Sequence, residues 1–193
     1  MGSGVRAGFV LVAALAGAGC VGFVLPERLE DGAAVAPDGA YVYGRFERVD
    51  PWTALFHVLL RYETPDGKGH FEIESLGGEV AAFRVPAGEY RLTHLMLATS
   101  CLGLGMQTEP DVQWHPVAAS SCPPHSLPFA LAAGDVCYLG DFTAEVFRDS
   151  WGPVRWLSAR LTGAGDRFGE TTEELRARIP AFRELPARRA WEP

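Results

Sequence analysis

Four cysteines, Cys20, Cys101, Cys122 and Cys137, hold the widest chemical options in this 193-residue chain. Cys101 and Cys122 bracket LGLGMQTEPDVQWHPVAASS, a long insertion between strand-like segments. Two fates exclude each other there. In an oxidising compartment a disulfide across the loop is the economical expectation. Closing a loop of about 22 residues contributes on the order of 3 kcal/mol in the chain-entropy picture. In the alternative, CPPH pairs Cys122 with His125, and Cys101, His115 and Met106 share the segment; such side chains bind zinc or copper. The spacing is irregular, Cys-Pro-Pro-His is stiff, and no matching second pair follows, so the disulfide is expected and no cofactor is. Cys137 lies within a strand pattern and reads as a small packed residue.

Other constellations are weaker. GAGDRFGETTEEL (163–175) joins a strand pattern to a helical one, as a phosphate-binding loop would, but its glycines sit one residue off the dinucleotide fingerprint. An ordinary glycine-rich connection is expected. There is no Gly-x-Ser-x-Gly, His-Glu-x-x-His or Walker loop. His57 and His94 fall in strands, and His70 begins one on a polar face. Asp141 and Glu145 share a strand face and read as solubilising carboxylates. No catalysis is expected. Trp114 in the cysteine-bracketed loop and Trp151 beside GPVR are candidate binding-surface aromatics, whereas Trp156 reads as core.

The fourth cysteine closes a leader. Residues Ala7–Leu25 carry no charge, after a start whose one charged side chain is Arg6. Ala18-Gly19-Cys20 resembles the end of a bacterial lipoprotein signal, in which small residues precede a cysteine whose thiol receives diacylglycerol; Gly17 departs from the leucine usual there. Cleavage after Ala16-Gly17-Ala18 to give a secreted protein is a second reading. A retained anchor is a third, since 19 apolar residues just span a bilayer core. All three place the body outside the cytoplasm, and lipidation of Cys20 is the expectation carried forward. Lipid chains hold by burying methylenes, about 0.8 kcal/mol each.

The formal charge is −7, with 24 acidic residues against 17 Lys and Arg. The acidity belongs to the body, because residues 161–193 are balanced. An acidic domain without a basic stripe argues against nucleic-acid binding, which needs cations to displace counterions. The expected partners are a membrane, through the lipid, and an envelope protein.

The elements that must position these residues have a period of two. AYVYGRFERV (40–49) alternates Val42, Gly44 and Phe46 against Tyr41, Tyr43, Arg45 and Glu47. LFHVLLRYE (55–63), TPDG and HFEIES (70–75) form a hairpin, with Phe71 and Ile73 inside and His70, Glu72 and Glu74 outside. EVAAFRVPAGEYRLTHLML (79–97) repeats the pattern about Val85-Pro86-Ala87-Gly88, with Tyr90, Leu92, His94 and Met96 on one face. SLPFALAAG (126–134) and VCYLGDFTAEVF (136–147) make another expected pair, and PVRWLSARL (153–161) a further strand. Near the end, Thr171-x-x-Glu174 reads as a capping box, with Leu175, Ile179 and Phe182 on one helical face. That helix, 171–179, is expected to cover a sheet edge or an end of the fold.

FRVPAGEYRLTHL and FALAAGDVCYLGDF resemble uncharacterised bacterial lipoproteins with an immunoglobulin-like or prealbumin-like β-sandwich. The likeness covers roughly residues 39–185 and rests on turns, so it implies fold and address but no reaction. The expected organisation is a signal peptide at 1–19, a lipidated N-terminus and tether at 20–38, an all-β antiparallel sandwich of about seven or eight strands at 39–162, and a short helix and tail at 163–193.

Overall fold

The run Ala40–Val49 buries both of its faces. Val42 and Phe46 enter one hydrophobic cluster, while Tyr41 and Tyr43 enter a second on the other side. A strand covered on both sides organises a layered fold. The structure, a computed structural model, describes residues 25–49, 56–74, 77–99, 112–116, 124–151 and 154–192. In chain order the strands are β1 (Glu27–Arg28), β2 (Ala40–Val49), β3 (Phe56–Glu63), β4 (His70–Glu74), β5 (Gly77–Val85), β6 (Gly88–Thr99), β7 (Val112–Pro116), β8 (Phe129–Leu131), β9 (Val136–Trp151) and β10 (Val154–Gly165). Helix α1 (Phe168–Arg178), a 3-10 turn (Pro180–Glu184) and β11 (Ala187–Arg189) follow.

The strands form two sheets. One runs β1-β5-β2-β9-β10, with β11 also on β9; the other runs β4-β3-β6-β7, with β8 also on β6. The protein is therefore mostly strand, with one short α-helix among the described residues, as expected. The larger cluster draws Val42, Phe46, Phe83 and Phe142 from the first sheet and Leu60, Tyr62, Phe71 and Leu95 from the second. Cys137 lies in it, fully buried, and burial pushes its thiol up to about 12.

The β3–β4 hairpin forms as read, from Leu59 opposite Glu74 to Glu63 opposite His70. Its turn is held by Thr64 and by Asp66, whose carboxylate accepts from the Thr64 hydroxyl at 2.7 Å and the Lys68 amide at 3.1 Å. Glu72 differs from expectation: it is buried, with His70 Nε2 at 3.3 Å and Arg61 Nη1 at 3.7 Å from its carboxylate.

Several expected pairings are corrected. The turn at Val85–Gly88 is not a hairpin; β5 pairs with β2 and β6 with β3, so the chain crosses between sheets there. Nor does β8 pair with β9. Gly134 N–H donates to Gly39 O at 2.7 Å and Tyr41 N–H to Asp135 O, tying this corner to the start of β2 and sending β8 to β6 instead. Two pairings are parallel rather than antiparallel, β2 with β9 and β11 with β9. In β6 the register skips at Thr93: Arg61 opposes His94 and Tyr62 opposes Leu92. This bulge reverses the side-chain parity, so Tyr90, Leu92, Leu95 and Leu97 share the large cluster and Met96 does not.

Helix α1 lies over a sheet face, not an edge. Leu175, Ile179 and Phe182, spaced as read, join Tyr41, Tyr43, Val80, Ala82, Val136 and Tyr138 in the second cluster, and Phe182 meets Tyr41 edge-on at 5.3 Å between ring centres. Each such burial contributes about 1.5–3 kcal/mol. The capping box is absent because Arg167 occupies the N-cap position and Thr171 is already helical. Asp166 Oδ1 accepts the Phe168 amide instead, at 3.1 Å.

The expected tether is docked over its second half. β1 pairs with β5, Leu29 is buried, Gly32 N–H donates to Arg178 O at 2.8 Å, and the Tyr41 hydroxyl accepts from the Ala36 amide at 2.9 Å. Among the described residues no helix is long and apolar enough to cross a membrane.

Candidate ligand-binding pocket

A bulge builds the polar centre of the molecule. Between β2 and β9 the register passes from Tyr43 opposite Tyr138 to Gly44 opposite Gly140, leaving Leu139 as the extra residue. Gly140 adopts φ +121°, a conformation L side chains rarely take. A side chain there would also strike His125, whose Nδ1 stands 2.5 Å from the would-be Cβ. The extra residue puts Asp141 on the same face as Tyr138, whereas strict alternation sets residues three apart on opposite faces. Asp141 Oδ1 accepts the Tyr138 hydroxyl at 2.9 Å and Oδ2 accepts Arg167 Nε at 2.7 Å. The Thr171 hydroxyl donates at 3.3 Å, and Arg45 Nε stands at 3.8 Å.

Asp141 thus fastens the first turn of α1 to the sheet. The expectation of a solvated, merely solubilising carboxylate is overturned, because the helix covers this face and Asp141 is buried. Glu145 does behave as read: it is a partly exposed partner of Arg160, at 2.8 Å. Tyr43 adds a second link, its hydroxyl 2.6 Å from that of Thr172, which itself donates to Phe168 O. Burial pushes the Tyr43 phenol up to about 12 and also raises that of Tyr138.

Beside this network opens a cavity of about 270 Å³. Arg45, Glu47, Asp141 and Arg167 form its polar wall; Gly78, Phe142, Thr143 and the end of β10 at 163–165 complete it. Arg45 is committed, donating from Nη1 to Gly78 O at 3.2 Å and from Nη2 to Glu174. Glu47 is exposed and makes no ion pair with the described residues. Such a wall binds charge in both signs. Its one hydroxyl side chain is Thr143, and no histidine is among the lining residues.

A second, shallower groove of about 450 Å³ runs between β8 and the residues after β11, along Pro128, Phe129, Ala130, Arg188, Ala190 and Trp191. Trp191 forms part of its floor and packs edge-on against His125, with ring centres 4.2 Å apart. His125, read as a candidate metal ligand, is enclosed by Trp191, Phe142 and Gly140, and its Nδ1–H donates to Leu139 O at 3.2 Å. Burial lowers its pKa, against the opposing pull of that carbonyl. Among the described residues no three His, Cys, Asp or Glu side chains are grouped to hold a metal.

The remaining sequence-derived sites fall partly outside the described residues. Cys20, Cys101 and Cys122 lie outside the described residues, as does Met106. Trp114 belongs to a strand rather than a loop, in β7 opposite Met96; Trp151 ends β9 opposite Val154. His115 also lies in β7. The phosphate-loop stretch is a strand end followed by a helix start whose amides are engaged: Arg167 N–H donates to the Tyr138 hydroxyl at 3.0 Å, and Phe168 N–H to Asp166. Sequence reading missed Arg45, Glu47, Asp141, Arg167 and Trp191. One signal was present: Tyr41 and Tyr43 on the nominally outer face of β2 announce a covered face, and hence buried neighbours there. Searched against known proteins, the chain matches no family model, no curated protein and no solved structure.

Proposed function

We propose that this chain is a bacterial cell-envelope lipoprotein, anchored through diacylated Cys20, whose β-sandwich body binds a ligand or partner at the membrane surface without turning it over. The observation that carries the reading is the small-residue site Ala18-Gly19-Cys20 inside the uncharged run Ala7–Leu25, a few residues before Glu27, the first paired residue among those described. At no more than about 3.6 Å per residue, the link from Cys20 to β1 reaches about 25 Å, so the anchor keeps the body close to the lipid headgroups. A core fed by both sheets supports the sandwich arrangement, with α1 as an outer layer on one of them. A polar cavity with ion-paired walls supports binding over catalysis.

The test is the intact mass of the protein extracted from membranes, beside Cys20→Ala. A wild-type mass of residues 20–193 plus acyl chains, lost in the variant, is the expected result. A mass beginning at another residue, or free of acyl chains, overturns the anchor.

A further inference from the structure

We infer that the cavity beside Asp141 binds a small zwitterion of amino-acid size, its ammonium group at Glu47 and its carboxylate at Arg167. The charges on the wall divide into those already satisfied and those with capacity left. Asp141 is filled by Tyr138, Thr171 and Arg167, and Arg45 gives its terminal nitrogens to Gly78 O and Glu174, keeping only a buried Nε, 3.8 Å from Asp141, without a hydrogen bond. Glu47, an acceptor with no hydrogen bond or ion pair to the described residues, has full capacity. Arg167 commits only Nε to Asp141, so its terminal N–H groups have no partner among the described residues, and its side chain is 55% exposed. Guanidinium offers five donors in a fixed fork suited to a carboxylate.

One available anion and one available cation on the rim of a single cavity favour a ligand that carries both charges. A simple anion meets Glu47, and a simple cation meets Arg167; each gains one contact against one repulsion. The recognising groups are held in place. Arg167 is pinned by its bond to Asp141, and the stem of Glu47 rests beside Gly78, about 3.5 Å from where a Cβ would stand. The volume of about 270 Å³ falls just below the ~300–1,000 Å³ usual for drug-sized ligands. Phe142 and the side-chain-poor stretch at 163–165 leave a short, partly apolar recess, which selects small side chains.

The inference rests on the binding reading above and is tested separately from the anchor. The full-length chain is titrated with L-alanine, with acetate and methylamine as single-charge controls, and the backbone amides of Thr143 and residues 163–165 are followed by NMR. Saturable shifts with alanine, absent with either control at the same concentration, are expected. Glu47→Gln, at a residue with no partner to lose, should weaken alanine at least tenfold while leaving the remaining spectrum folded. Absence of saturation, equal binding by methylamine or acetate, or an unchanged Glu47→Gln titration overturns the site. An acylated chain that ignores alanine sinks this inference and leaves the anchor standing; a chain that binds alanine without acylation does the reverse. Alanine that is bound and consumed supports the site and overturns the non-catalytic reading.

Discussion

Replacing Asp141 by Ala should cost more stability than any other single change of a charged side chain on the helix-covered face. The substitution strips the Tyr138 hydroxyl of a charged acceptor at 2.9 Å, the Thr171 hydroxyl of one at 3.3 Å, and Arg45 Nε of its nearby carboxylate. A hydrogen bond to a charged group contributes about 1.5–3 kcal/mol, and a stranded buried partner costs about 1–3 kcal/mol. Arg167 adds little, because it is half exposed and its pair is screened by solvent. The expected loss is about 3–5 kcal/mol, out of about 5–15 for a typical domain. At a slope near 2 kcal/mol per molar urea, the unfolding midpoint falls by roughly 2 M. Asp141→Asn keeps one acceptor oxygen and should lose about half as much, which keeps the comparison readable if the alanine variant fails to fold. Thr171→Val in the same cycle should show coupling of about 1 kcal/mol with Asp141. An alanine variant whose midpoint stays within about 0.5 M of wild type, at equal slope, would refute the assignment of Asp141 as the fastening of α1.

Other expectations follow from the same geometry. Gly140→Ala combines φ +121° with a 2.5 Å approach to His125 and should lose at least about 2 kcal/mol in the same urea assay; adding His125→Ala should recover the steric part and not the backbone part. Cys137, buried and held protonated to about pH 12, should be invisible to a thiol reagent in the native protein, so that wild type and Cys137→Ala give equal native titres and differ by one thiol in denaturant. Alkaline pH should destabilise the fold. The Tyr43 phenol ionises near 10 when unfolded and about 12 when folded, so between these values the unfolded state releases the proton first and stability falls with rising pH, by up to about 1.4 kcal/mol per pH unit. Phenolate absorbance against pH, beside Tyr43→Phe, reads this directly; an unaltered alkaline midpoint in the variant would contradict it.

What the sequence could disclose follows the range of the interaction involved. Period-two alternation placed β2 from Ala40 to Val49 and both strands of the β3–β4 hairpin, because a local pattern and a local turn decide them. The apolar spacing of Leu175, Ile179 and Phe182 likewise announced a helical face. Partner choice was not local. Nothing in Val85–Gly88 tells a hairpin from a crossing between sheets, and the parallel pairing of β2 with β9 joins segments far apart in the chain. Bulges were the other blind spot: the extra residue at Thr93 shifts parity, which is why Met96 was grouped on one face with Tyr90 and Leu92. Asp141 was misread for a different reason: its strand face was taken as solvated, and the helix that covers it comes from far along the chain.

The pairing of β2 with β9, closed over by α1, makes the last part of the chain a condition for the first. Tyr41 has no parallel neighbour until Val136 is made, and Phe182 completes its cover later still. Order of synthesis therefore opposes order of assembly, and early contacts are few where loop closure is long. A nascent chain, or a fragment ending at Gly165, would present Tyr41, Tyr43, Val80 and Tyr138 as an uncovered sticky surface. Closure of that surface therefore waits on the C-terminal segment, so truncations near the end of the chain should act on the whole fold rather than on the tail alone.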